Sequence, residues 1–116
     1  MLVRVDPSSE VPLFEQLSTS IRAAAIDGSL QAGERLPSAR ELAHSLDVNL
    51  HTVLRAYQTL RDEGLIELRP GRGATVTERV TDYAGLTQAV GSVVAEARAV
   101  GVSRSALLAI IREAYQ

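Results

Sequence analysis

Leu36-Pro37-Ser38-Ala39-Arg40-Glu41-Leu42-Ala43-His44-Ser45-Leu46-Asp47-Val48-Asn49-Leu50-His51-Thr52-Val53 holds two helix starts in close succession. Pro37 disfavours helical backbone at the residue before it, so Arg35-Leu36 reads as a short extended piece. Ser38 followed by Glu41 is a capping box, and Ala39, Leu42, Ala43 and Leu46 then share one helical face. This helix breaks at Asp47-Val48. Asn49 is a good cap for the next one, with Val48 and Val53 at the two positions of a hydrophobic staple. Two capped helices across so short a turn make a helix-turn-helix.

Downstream, the second of these helices runs from about Leu50 to Glu63 and is closed by Gly64. At about 100° per residue, Val53, Ala56, Tyr57 and Leu60 form its buried stripe, with His51, Arg55 and Gln58 on the opposite side. Leu65 to Arg69 and Ala74 to Glu78 alternate as two strands around Pro70-Gly71-Arg72-Gly73, which makes 65–78 a hairpin wing. Upstream, residues 1–10 read as an arm or short strand. A first helix then starts at Pro12, with Leu13, Leu17, Ile21 and Ala24 or Ala25 at helical spacing and a stop at Gly28.

After Thr81 a helical stripe returns in Leu86, Val90, Val93, Val94, Ala97 and Val100, ending at Gly101. Ser103 caps a last helix carrying Leu107, Leu108, Ile111 and Ala114. The expected fold is mainly α with a small β-hairpin wing. It divides into a winged helix-turn-helix over residues 1–79 and an αα-hairpin tail over 80–116. Such a hairpin has more apolar surface than two helices can hide, so Leu86, Val90, Val93, Val94, Leu107, Leu108 and Ile111 are expected to form a dimer interface. A tail folded back on its own winged domain is the competing arrangement.

The chain has 116 residues and 46% hydrophobic content, enough for one compact domain with a small appendage. It has no cysteine, which excludes disulfides and thiolate metal sites. No apolar run approaches the roughly 20 residues of a membrane span, and the N-terminus with Arg4 and Asp6 lacks the apolar block of a signal peptide. The expectation is a soluble cytoplasmic protein with no cofactor and no membrane association. His44 and His51 are the only histidines and no carboxylate cluster joins them, so no metal site is expected. Nor is there a defensible nucleophile and base, or paired carboxylates in a marked context, which argues against an enzyme.

The formal net charge is −2, so binding to a polyanion cannot rest on bulk charge and must come from local placement. All 12 basic residues are arginine, whose planar fork suits phosphate and guanine edges. Arg40 lies in the first turn of a helix, where amides favour a phosphate, while His51 and Arg55 stand one turn apart on the exposed face of the next helix. Arg69 and Arg72 flank the wing tip. Taken singly, each is an ordinary solvated side chain, and Glu41 or Glu67 can neutralise Arg40. The ordered combination points to duplex DNA, with helix 49–63 in the major groove and the wing on the backbone or minor groove. A winged-helix module for protein association is the alternative.

Several segments carry a closer resemblance. Val11-Pro12-Leu13-Phe14-Glu15-Gln16-Leu17, Gly33-Glu34-Arg35-Leu36-Pro37-Ser38-Ala39-Arg40-Glu41-Leu42-Ala43, Asp62-Glu63-Gly64-Leu65-Ile66 and Gly71-Arg72-Gly73-Ala74-Thr75-Val76 resemble the N-terminal domain of the GntR family of bacterial transcription regulators. Asn49 to Tyr57 and the two-helix tail resemble its YtrA-like subfamily. The resemblance implies DNA contacts at Arg40, Asn49, Leu50, His51, Thr52, Arg69, Gly71, Arg72 and Gly73, and Arg55 fits the subfamily's basic position. With the apolar tail, the expectation is a homodimeric repressor on a pseudo-palindromic operator, with room for an unknown small-molecule effector between the tail hairpins. Leu50 and Leu54 stand where many members carry arginine, and Asp47 replaces the usual turn glycine.

Overall fold

In the computed structural model, residues 3–71 and 73–116 are described, so Arg72 of the expected site lies outside the described residues. Helix α1 spans Leu13–Ile26, with Pro12 as its N-cap residue and Glu15 in the first turn. Its Leu17, Ile21, Ala24 and Ala25 are buried, the spacing that puts one face of a helix on a core. Helix α2 spans Ala39–Leu46, and the Ser38 hydroxyl accepts the Glu41 N–H at 3.1 Å. It stops where Asp47 turns into the left-handed region at φ 55° and the Val48 N–H reaches back to the Ala43 carbonyl at 3.0 Å. Helix α3, Leu50–Asp62, begins at once, with the Asn49 side chain accepting the His51 N–H at 2.8 Å.

The wing is a sheet of three strands. Strands β2 (Ile66–Arg69) and β3 (Gly73–Val76) pair antiparallel, with Ile66 opposite Val76 and Arg69 opposite Gly73. Strand β1, Arg35–Leu36, adds to the other side of β3, giving the order β1-β3-β2. The expected extended piece before Pro37 is therefore a strand of the wing itself. Gly64 makes the turn from α3 into β2 at φ 82°, while the Leu65 N–H bonds the Leu60 carbonyl at 3.0 Å.

The first compact unit runs from residue 1 to 84. Its core joins Leu17 and Ile21 of α1, Leu42 of α2, Val53, Tyr57 and Leu60 of α3, and Ile66, Ala74 and Val76 of the sheet. Strand β3 ends at Val76, short of the expected Glu78, and the chain enters a 3-10 turn over Glu78–Tyr83. Thr77 causes the switch: its hydroxyl accepts the Arg79 N–H at 3.3 Å and donates to the Gly64 carbonyl at 2.6 Å. Val80 of this turn is buried in the same core.

The second unit, residues 85–116, contains most of α4 (Ala84–Ala99) and α5 (Arg104–Ala114). Gly101 at φ 75° and the Val102 N–H bond to the Ala97 carbonyl, 2.8 Å, close α4. The Ser103 hydroxyl opens α5 by accepting the Ala106 N–H at 3.1 Å. Ala97 is the buried residue of this pair of helices among those described, while Val94, Val102 and Leu107 are half-buried. Leu86, Val90, Val93, Leu108 and Ile111 are each between 42 and 50% exposed, so the apolar stripe remains open to water within the chain. None of the described helices is long and apolar enough to cross a membrane.

Candidate nucleic-acid interface

The start of α3 is presented by its caps. Asn49 turns the chain outward, His51 is exposed and Thr52 is half-exposed, while Leu50 is half-buried and packs on the core. Leu50 thus braces the turn that carries its neighbours. Arg40 is exposed on α2, in the first helical turn after the Ser38 cap. It takes part in none of the ion pairs among the described residues, and Glu67, a neighbour expected to compete for it, instead bonds Arg69 at 3.4 Å. Arg69 is more than half exposed, so that pair leaves its guanidinium available to a stronger anion.

Between the N-terminus of α2, one side of α3 and the wing lies an open groove of about 1060 Å³. Its walls include Arg35, Glu41, Leu54, Arg61, Arg69 and Gly71. Arg35 and Arg61 had no part in the sequence-based site. Arg35 reaches it because β1 pairs with β3, Arg35 opposite Thr75, a long-range pairing that no local pattern reveals. Arg61 lies two turns along α3 from Leu54, which could have been read from helical spacing; it is loosely paired with Asp62 at 3.2 Å.

Two interactions hold the frame. Tyr57, buried on α3, donates its hydroxyl to the Pro37 carbonyl at 2.6 Å, which ties α3 to the segment that starts α2. Burial pushes its phenol well above the ordinary value, and the Glu41 charge adds to the effect. Arg22 of α1 grips both carboxylate oxygens of Glu63, just past α3, at 2.6 and 2.7 Å. That bidentate bond lowers the Glu63 pKa and raises that of Arg22. Arg55, exposed on α3, points about 100° around the helix from Leu54, its guanidinium carbon 3.7 Å from the centre of the Phe14 ring.

The structure thus brings Arg40, Asn49, His51, Thr52, Arg55, Arg69, Gly71 and Gly73 into one compact unit, with Leu50 packed beneath the turn. Among the described residues there is no group of three or more His, Cys, Asp or Glu side chains placed to hold a metal ion. Capped helices α2 and α3 followed by a three-stranded wing define the molecule as a winged helix-turn-helix protein.

Residues 13–76 match the profile of the bacterial regulatory proteins of the gntR family. The HTH-type transcriptional regulator Rv1152 of Mycobacterium tuberculosis is 36% identical over 103 residues, covering 89% of this chain and 85% of the relative. The chain belongs to the GntR family of bacterial regulators. The HTH-type transcriptional repressor YtrA of Bacillus subtilis is 38% identical over 77 residues, 66% of this chain but only 59% of its own length. Among solved structures, the AraR DNA-binding domain in complex with operator ORX1 superposes with a TM-score of 0.56 at 26% identity, covering 64% of this chain and 92% of that one. The family is one of transcription regulators rather than enzymes.

Proposed function

We propose that this chain is a sequence-specific DNA-binding repressor acting as a homodimer on a pseudo-palindromic operator. The observation that carries the reading is the exposed, capped first turn of α3, with Asn49, His51 and Thr52, between the exposed Arg40 of α2 and the wing. In this reading α3 enters the major groove with that turn leading, and its side chains meet base edges. The first-turn amides of α2 and Arg40 hold one phosphate, since helix N-terminal amides favour anions. The wing, with Arg69, Gly71, Arg72 and Gly73, follows the backbone or the adjacent minor groove. The AraR complex with its operator shows that a related winged domain engages DNA, and the repressor named among the relatives supports the sign of control.

The open apolar stripe of α4 and α5 supports the twofold arrangement, and tethering two weak half-site readers would raise their effective concentration. A small-molecule effector has a natural place against such apolar walls, although no polar anchor identifies its chemistry. Selection of bound duplexes from a random pool tests the reading. The expected product is a pair of inverted half-sites, with affinity falling steeply as salt rises. Recovery of no enriched sequence would overturn it and favour a module for protein association.

A further inference from the structure

We propose that Arg55, held over the ring of Phe14, is a preset clamp for a DNA phosphate on the α1 side of α3, and that Phe14 is its positioning residue. The inference rests on the DNA-binding reading above and assigns Arg55 a different task from its neighbours on α3. At about 100° per residue, Leu54 and Arg55 point to clearly different sides of the helix. Leu54 lines the groove toward the wing, whereas the Arg55 guanidinium sits 3.7 Å over a ring of α1. A helix with its side chains is about 10–12 Å across. The major groove is about 12 Å wide, so a guanidinium drawn from the exposed face to the α1 flank by Phe14 faces a wall of phosphates and not the floor of base edges.

The chemistry of the contact fits that role. Stacking uses the face of the guanidinium and leaves its N–H donors in the plane, where a phosphate can accept two of them. Four arginines, Arg22, Arg61, Arg69 and Arg79, are engaged with carboxylates in this structure, whereas Arg55 is in none of the ion pairs among the described residues. A π face orients the cation without neutralising it. The ordering cost of a long side chain is then met before DNA arrives.

The test uses the duplex recovered by random-pool selection and a panel of its single-base variants. Arg55→Gln should weaken binding by a similar factor on every member of the panel and reduce the salt slope by about one phosphate contact. Phe14→Leu, which keeps an apolar side chain at a half-buried position, should weaken binding about two- to fivefold in the wild-type background. It should have no further effect once Arg55 is glutamine, and Phe14→Tyr should restore wild-type affinity. Equal losses from Phe14→Leu in both backgrounds would show a merely structural role and overturn the assignment. A loss from Arg55→Gln confined to one base pair would make it a base reader and overturn it equally. Failure of the wild-type chain to retain any duplex would overturn both readings, whereas an unaffected Arg55→Gln variant on a retained duplex overturns only this one.

Discussion

Asp47 is the one non-glycine residue with positive φ among those described, and it forms the turn between α2 and α3. An L-residue in this region is strained by about 1–2 kcal/mol, less for the short, unbranched side chain of Asp than for a β-branched one. Asp47→Gly should therefore raise stability by up to about 1 kcal/mol, and Asp47→Val should lower it by about 1–2 kcal/mol, both readable from thermal melts. Glu63 makes a prediction of another kind. Its pKa is lowered by the bidentate bond from Arg22, so the bridge contributes fully at pH values above the ordinary carboxylate range. That contribution is lost as the pH falls through the lowered folded-state value. Both side chains are about one-third exposed, which limits the pair to about 1 kcal/mol. Glu63→Gln should cost a few degrees of Tm at pH 7 and progressively less as the pH falls through the lowered folded-state value, and a cost that stays constant down the acid limb would rule out the ionic contribution.

At the scale of elements, α3 depends on what lies behind it as well as on its caps. Tyr57→Phe removes the hydroxyl that bonds the Pro37 carbonyl and should destabilise the winged unit by about 1 kcal/mol in denaturant unfolding, with unchanged secondary structure. No destabilisation would mean that water replaces the bond at no cost. The helices were legible in the sequence because their signals are local. Ser38, Asn49 and Ser103 cap the helices that the sequence places after them, each through a bond to an amide two or three residues on. Contacts between distant segments left no such mark. The pairing of β1 with β3 puts Arg35 beside the wing, Arg22 meets Glu63 across 41 positions, and Phe14 meets Arg55 between α1 and α3. The 3-10 turn after Val76 was hidden for a different reason, since Thr77 also suits the strand register that the alternation of residues 74–78 suggested.

At the scale of the whole molecule, the distribution of apolar side chains separates the two units. The winged unit packs a core in which Leu17, Val53 and Leu60 are fully buried, with Val11 as its exposed large apolar residue among those described. In the second unit Val93, Leu108, Ile110 and Ile111 stay 42–56% exposed, so α4 and α5 leave apolar surface in water even though Gly101 closes the first and Ser103 caps the second. A second copy offers the same stripe, which makes an isologous contact self-complementary. Replacing Val93 or Ile111 by Asp puts a charge at the centre of such a contact while leaving each side chain solvated in the single chain. Each variant should sediment as a monomer at micromolar concentration with an unchanged helical circular dichroism spectrum, under conditions where the wild type is expected to sediment as a dimer. Affinity for the two-half-site duplex should fall roughly a hundredfold, whereas affinity for an isolated half-site should be unchanged. A variant that stays dimeric, or a wild type that is monomeric throughout, would remove these helices as the interface. Equal losses on half-site and full site would instead place the damage in the winged unit.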